Sequence, residues 1–406
     1  MDLNKHIYSY FLILFSLIPL TIVVGSAVSV INILLIDFSF IILMVYKKDY
    51  YFLKNKTMIY LFILYIYLIF NSFISINFFE GVLRNFGFLR IIILFAAINY
   101  FFQDEIFFKK IIKFWSIVIF IVVFDVFFES FAGKNILGFG DDGFKNRIVS
   151  FFKNEPIVGG YLNGFYLIIV GFLINELKDK RNYLIILFSI IFIVSILLTG
   201  ERSNFIRAIL GIGIFFMVYK NLDIKKKILT ILTMILLILI LIFNLPFLKV
   251  RFGSQINYLL SKQHNIYFHV YESGFEVFKN NKLLGVGNKN YRVETCKETN
   301  KNSKYICTTH PHQIYFELLS EHGLIGTIII LSILYKLIFS KILRTFSGNN
   351  YVKIGSLIYL IFVFTPIIPS GAFFNNYMLT IFAINLSIFY ASDKKLNIFK
   401  KIKSKI

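Results

Sequence analysis

Charge is what this sequence lacks most. Only 16% of its 406 residues are Asp, Glu, Lys or Arg, against about a quarter in ordinary soluble domains. A chain so poor in solvating groups, and 57% hydrophobic, is neither a soluble enzyme nor a disordered tail. Cysteine is nearly absent, and a total of two excludes a disulfide-stapled scaffold. Proline is scarce, six residues beside fifty Phe, which suits helices in lipid better than loops. Acid is short relative to base, 22 residues against 43, leaving a net charge of +21. Taken alone, that excess would suggest nucleic-acid binding.

Long apolar runs are what the sequence has. At ~20 residues per crossing, twelve candidate spans fit, near 8–25, 27–46, 57–76, 86–102, 111–131, 157–175, 182–199, 204–219, 228–245, 314–335, 352–369 and 372–391. The expectation is an all-α polytopic membrane protein of about 12 transmembrane helices. Gly25-Ser26 and Ser370-Gly371 would turn tight hairpins between the first and last pairs. The first run leads straight into more apolar sequence, so it reads as a span, with a cleavable signal as the alternative. The chain then divides into spans one to nine (1–245), a large outer loop (246–313), and spans ten to twelve with a basic tail (314–406).

The basic excess sorts by side. The N-terminus, loops 47–56, 103–113, 176–182, 220–227 and 336–353, and tail 393–406 hold 25 Lys and Arg against 8 Asp and Glu. Basic loops resist translocation, so this side and both termini are expected in the cytoplasm. The +21 becomes a topology signal, and no nucleic-acid partner is expected. Two outward connections are long, 132–156 and 246–313. In the second, Tyr267, Val270, Tyr271, Gly274, Phe275 and Phe278 recur at three- and four-residue spacing, which predicts a short amphipathic helix lying as a lid on the outer surface.

Ionisable residues inside apolar runs are costly and so draw notice. Arg84 and Arg90 bracket the start of the fourth span, and Asp125 and Glu129 lie one turn apart near the end of the fifth. Pairing between them would fix helix packing; a polar cavity is the other reading. Asp37, in the second span, is expected as a buried hydrogen-bonding partner.

Three local patterns remain. Thr199-Gly200-Glu201-Arg202-Ser203 joins the seventh and eighth spans, with Arg207 one turn on. A Gly-containing turn opening a helix offers free N–H groups, and a guanidinium beside it suits a diphosphate. Ser203 as a plain N-cap, with Arg202 reaching lipid phosphate, accounts for the same residues. Next, Thr308-Thr309-His310-Pro311-His312-Gln313 opens the tenth span, with Thr and an early Pro as the helix start and Gly323 as a stop or kink. A near-neutral imidazole at a membrane mouth suits proton transfer. Histidines two apart share no helical face, so a zinc pair is not expected. Finally, Cys296 and Cys307 bracket a charged stretch in the outer loop. Bonded, they would contribute ~2–3 kcal/mol; free thiols are the alternative. Leu284-Gly285-Val286-Gly287 lacks a βαβ context and reads as a tight turn, not a nucleotide loop.

Taken in order, these residues resemble the O-antigen ligase and polymerase family of bacterial envelope glycosyltransferases. The family's ligase pattern is His, then Asn, Ser or Gln, nine residues, Gly, two residues, and a small residue or Tyr. Here it reads His312-Gln313, Ile314 to His322, Gly323, Leu324-Ile325 and Gly326. Thr199 to Ser203 looks like the family's Ser/Thr-Gly-x-Arg element, and Gly285-Val286-Gly287 like its Gly-Val-Gly turn. The resemblance implies transfer of a glycan from an undecaprenyl-diphosphate carrier to a sugar hydroxyl of lipid A–core, without metal or cofactor, in the bacterial inner membrane with the site facing the periplasm. Membrane lipids are the other expected partners. In that reading His312 accepts the hydroxyl proton, and Arg202, Arg207 and a second outer-loop base bind the diphosphate. Arg251, His269 and Arg292 are the candidates for that base, with Arg292 preferred. His310, Gln313 and Glu201 would support. A polymerase joining lipid-linked repeat units shares the broader fold. A passive transporter would need groups at the midplane and internal symmetry, which the sequence does not offer.

Overall fold

The computed structural model describes residues 5–140, 147–153, 155–177, 182–254, 265–300 and 304–399. Parts of three cytoplasm-assigned segments, at 1–4, 178–181 and 400–406, lie outside these, as does the stretch 255–264 of the large outer loop. Helix forms at every one of the twelve expected runs. The first run is α1 (Lys5–Ser16) and α2 (Ile18–Val24), bent by 42° at the break, where Pro19 opens α2. Then come α3 (Ser26–Lys47), α4 (Lys56–Phe73), α5 (Phe78–Phe101), α6 (Glu105–Ala132), α7 (Val158–Leu177), α8 (Asn182–Leu198), α9 (Arg202–Val218) and α10 (Ile224–Asn244). The outer loop contributes α11 (Ile266–Asn280) and α12 (Tyr291–Thr295), before α13 (Ile314–Leu337), α14 (Tyr351–Val363) and α15 (Asn376–Ala391) close the chain.

Among the described residues, seven helices are long and apolar enough to cross a membrane, eight if α1 and α2 count as one span. The others are shorter, so a polytopic helical membrane protein is observed, but twelve full crossings are not established by helix length. The first hairpin forms as expected: Asn32 donates to the Leu14 carbonyl at 3.1 Å and the Tyr10 and Ser39 hydroxyls meet at 2.9 Å. The last does not. Helix α14 stops at Val363 and α15 begins only at Asn376. Pro366 and Pro369 supply no N–H to continue a helix, and side chains hold the connection: Arg207 donates to the carbonyls of Phe362, Ile368 and Pro369, and Tyr315 to that of Phe364.

Helix α7 is the centre of the bundle, 83% of its apolar window being buried. Small residues let its neighbours approach closely. A Cβ on Gly171 would stand 2.4 Å from the Tyr351 carbonyl oxygen, and one on Gly355 2.3 Å from that of Leu167. Helix α10 is the opposite case, 17% buried and peripheral.

The buried ionisable residues do not pair as the sequence suggests. Asp125 and Glu129 face backbone instead of Arg84 or Arg90. Glu129 accepts from the Val149 and Ser150 N–H groups at 3.0 and 2.6 Å. Asp125 accepts from the Ile136 N–H and the Ser150 hydroxyl. Loop residues with open donors win over distant guanidinium groups because a buried N–H without a partner costs ~1–3 kcal/mol. Arg90 instead donates to Asn376 at 2.8 Å. Asp37 is buried, but among the described residues neither of its carboxylate oxygens has a hydrogen-bond partner, so the expected bonding role is corrected.

Candidate functional site

The Gly-Val-Gly turn and the Gly323 kink are two halves of one interlock. Gly323 has φ +61° and ψ −169°, a backbone open to glycine and to almost nothing else. It interrupts α13, so the two hydrogen bonds that a continuous helix would make there are exchanged with the loop. Leu324 and Ile325 donate to the Lys282 and Leu283 carbonyls instead of Ser320 and Glu321. The freed Ser320 and Glu321 carbonyls accept from Val286 and Gly287, both at 2.9 Å. Gly285 sits so close that a Cβ there would lie 2.5 Å from the α13 backbone. The same loop is fixed to the α4–α5 turn by asparagines. Asn71 accepts from the Asn288 N–H at 2.8 Å, Asn288 donates to Asn85 at 2.5 Å, and Asn290 accepts from the Asn77 N–H at 2.8 Å. Cys296 and Cys307 are joined in a disulfide, which closes the loop just before the histidines.

That scaffold delivers the His segment. The helix begins later than Thr and Pro suggest, at Ile314. Gln313 is its cap, its side-chain oxygen accepting from Tyr315 and Phe316 N–H at 2.7 and 3.1 Å. His312 adopts φ +55°, a left-handed conformation that costs a non-glycine residue of order 1–3 kcal/mol. It is held there by the adjoining cap and by Ser370, whose N–H binds the His312 carbonyl at 2.8 Å. Among the described residues no hydrogen bond reaches the His312 ring; it touches the ring of Tyr267 edge-on at 6.2 Å and that of His310 at 4.1 Å.

His310 is fixed on both nitrogens, 2.9 Å from the Thr309 hydroxyl and 3.3 Å from the Ser370 carbonyl oxygen. Since a carbonyl can only accept, Nε2 carries the proton and Nδ1 accepts. Burial, with the neighbouring His312 adding to it, drives the His310 pKa down to about 4, so it is a neutral positioning group. Burial also lowers His312 below the usual imidazole value, leaving it neutral and able to take a proton at pH 7.

Opposite lies the turn before α9. Gly200 takes φ +69°, and Arg202 is the first residue of the helix. Ser203 is not the cap: Glu201 holds that position without capping its own helix. Its carboxylate reaches across to α7, accepting from Gly159 N–H at 2.6 Å and Gly160 N–H at 3.3 Å, and also accepts from the Asn204 side chain of α9 at 2.6 Å. Burial raises its pKa to about 7 against those donors. Among the described residues the buried Arg202 Nη1 has no hydrogen-bond partner. Arg251, buried, donates from Nε to the Gly200 carbonyl at 2.9 Å. Burial first, then the Arg147 and Arg202 charges, bring its pKa down to about 10, still charged at neutrality. Tyr267 bears on both Arg202 and Arg251 while touching His312. Tyr267 of α11 is thus the link between the imidazole and the guanidinium groups, and the same helix stacks Tyr271 on Phe316 at 5.4 Å.

The remaining predicted residues stand apart. Arg207 binds the three carbonyls of the α14–α15 connection. Arg292 is exposed on α12, and among the described residues no hydrogen bond or ion pair ties it to the Arg202 group. His269 faces Glu272 on the exposed side of α11. Sequence reasoning passed over Tyr267 as one more aromatic of an amphipathic stripe, and Ser370 as a hairpin residue. It missed Glu317, buried on α13 and accepting the Phe373 N–H with both oxygens at 3.0 Å. Spacing gave no signal for these pairings, because each joins segments far apart in the chain.

Comparison with curated proteins found no match. A family model does match: residues 187–331 fit the one described as O-antigen ligase. That interval runs from α8 through the arginine turn, the large loop and the His segment into α13, and so takes in Arg202, Arg251, Tyr267 and His312. Over that stretch, and in the motifs it encloses, the chain is similar to the O-antigen ligase family.

Proposed function

We propose that this protein transfers a glycan from an undecaprenyl-diphosphate carrier to a sugar hydroxyl of lipid A–core, at the periplasmic face of the bacterial inner membrane. The observation that carries the reading is His312, neutral and, among the described residues, unbonded at its ring, against Tyr267, which also bears on Arg202, whose buried Nη1 has no partner among the described residues. In the reaction, His312 accepts the proton of the acceptor hydroxyl. The oxygen attacks the anomeric carbon from the face opposite the diphosphate. The carbon–oxygen bond to the diphosphate breaks, and the polyprenyl diphosphate leaves with the electron pair, so the sugar carbon is inverted. Arg202 and Arg251 neutralise the charge that builds on the leaving group, in a water-poor setting where such stabilisation is strongest. Arg251 takes the place in this proposal that the sequence assigned to Arg292. Arg207 acts indirectly, by shaping the connection that carries Ser370. The donor is already activated by its leaving group, so the chemistry asks nothing of a metal.

Joining one lipid-linked repeat unit to another needs the same proton acceptor and the same cations, so the polymerase alternative differs only in its acceptor. The test is a reconstitution of purified protein with diphosphate-linked glycan and lipid A–core. Glycan on lipid A–core that disappears with His312→Ala and Arg202→Ala supports the proposal. A longer lipid-linked glycan as sole product assigns the polymerase, and product formation undiminished in both variants removes the mechanism.

A further inference from the structure

The connection between α14 and α15 is tied to three other helices. Pro366, Ile367 and Ile368 form a three-residue turn, the Ile368 N–H closing on the Pro366 carbonyl at 2.8 Å with Ile367 at φ +70°. Such a turn is rare and strained, the more so on a β-branched residue. The Ile367 side chain is 81% exposed, so its own packing does not impose the conformation. The carbonyls around it are where the hold is applied. Arg207 of α9 donates to those of Ile368 and Pro369 at 3.3 and 2.9 Å, and the Tyr271 hydroxyl of α11 to that of Ile367 at 3.1 Å. Both ends are pinned to α13. The Tyr315 hydroxyl donates to the Phe364 carbonyl at 2.8 Å, and the Glu317 carboxylate accepts the Phe373 N–H at 3.0 Å. Next in the chain after Pro369, Ser370 holds both histidines. Its N–H meets the His312 carbonyl at 2.8 Å, and its carbonyl accepts from the His310 Nε2 at 3.3 Å. His312 is itself left-handed at φ +55°, so strain sits on both sides of that contact. Strained residues persist where their surroundings over-determine them, and they gather at working sites.

We propose that this connection is a positioning element for the histidine pair, held by Arg207 and Tyr271, so that docking of α11 and alignment of the base are one event. Arg207 is then a positioning residue, its planar fork engaged by carbonyls, and not a diphosphate ligand. This rests on the reading of His312 as proton acceptor given above. The test uses full-length protein in proteoliposomes with the diphosphate-linked donor, and inorganic pyrophosphate as competitor. Arg207→Gln is expected to lower kcat about 10- to 100-fold, the effect of a base displaced by about an ångström. Donor KM and pyrophosphate inhibition should stay within about threefold of wild type. Arg207→Lys keeps the charge without the fork and is expected to match Gln. Tyr271→Phe removes one hydroxyl and retains the stack on Phe316. It is expected to lower kcat about 3- to 10-fold, and it carries the test if Arg207→Gln fails to insert. In each variant the pH midpoint of kcat/KM should move up towards 6.5 as His312 leaves its buried setting. His310 and Tyr267, which face its ring, are unchanged in all three. A mere loss of active molecules would leave the midpoint in place. The inference is overturned if Arg207→Gln raises donor KM and weakens pyrophosphate inhibition while Lys restores both, since Arg207 would then be a phosphate ligand. Wild-type kcat, or an unmoved midpoint, in every variant that inserts overturns it too. Transfer that survives His312→Ala would instead remove the base reading itself.

Discussion

Replacing Gly323 with Ala tests the interlock between the outer loop and α13. At φ +61° and ψ −169° any side chain is strained by ~1–3 kcal/mol. The new Cβ would also lie 2.4–2.5 Å from backbone atoms of Leu283 and Leu284, which cannot swing aside as a side-chain tip would. The chain's way out is to separate, giving up four loop–helix hydrogen bonds and remaking two inside a straightened α13. At about 1 kcal/mol per bond the net loss is ~2 kcal/mol. Exposing the buried Val286 adds ~1.5–3 kcal/mol, so the lock should weaken by ~3–5 kcal/mol. Hydrogen exchange read by mass spectrometry over 284–288 should then speed up by at least ~100-fold, with insertion unchanged and glycan transfer lost. Gly285→Ala should do the same, and the double variant should cost no more than the worse single one, because the lock opens only once. Unaltered exchange at Val286 and Gly287 in Gly323→Ala, or full additivity in the double variant, would refute the reasoning.

Other outcomes follow from the same geometry. Since burial holds the His312 pKa below 6.5 and only the neutral ring accepts a proton, kcat/KM for transfer should rise with pH through a midpoint under 6.5 and then level off; a midpoint above 7 contradicts this. Stability should run the same way. His310 and His312 are depressed in the folded state, so the unfolded chain binds more protons below about 6.5, and thermal melts should show stability falling from there towards pH 4. Reducing the Cys296–Cys307 bond, or Cys296→Ser, should destabilise the outer loop by ~2–3 kcal/mol, visible as faster proteolysis of the segment between them. Glu317→Ala leaves the Phe373 N–H buried and unpaired, which should cost ~1–3 kcal/mol in a detergent melt; an unchanged melt would show that the connection simply rearranges.

Uninterrupted apolar runs were enough to place helix at all twelve positions, and three- and four-residue periodicity to place α11, since each signal lies within a single segment. The last hairpin was misread because Ser370 and Gly371 look like a turn, whereas the decisive residues were Pro366 and Pro369 and a guanidinium a hundred and more positions earlier, Arg207. The motifs marked Gly285, Gly323, Arg202 and His312, but not that the first two are a single contact. The hold of Ser370 on both histidines had no local signature at all. It joins a backbone N–H and carbonyl to residues about sixty positions earlier, and long-range backbone pairing leaves no periodicity to find. The partners of Asp125 and Glu129 were misjudged for a related reason: opposite charge suggested arginine, while open backbone donors lay closer.

The peripheral position of α10 makes bilayer thickness a parameter of this site. Its 21 residues span about 31 Å, close to the hydrocarbon thickness of an average membrane, and with so little of it buried the lipid sets its tilt more than the bundle does. Leu245 to Lys249 follow it directly, and the next helical turn carries Arg251, so a change in tilt is passed to one cation while Arg202, rooted in α9, stays where it is. In the proposed mechanism, the separation of those two charges, and with it the grip on a leaving group, becomes a quantity that acyl-chain length can adjust.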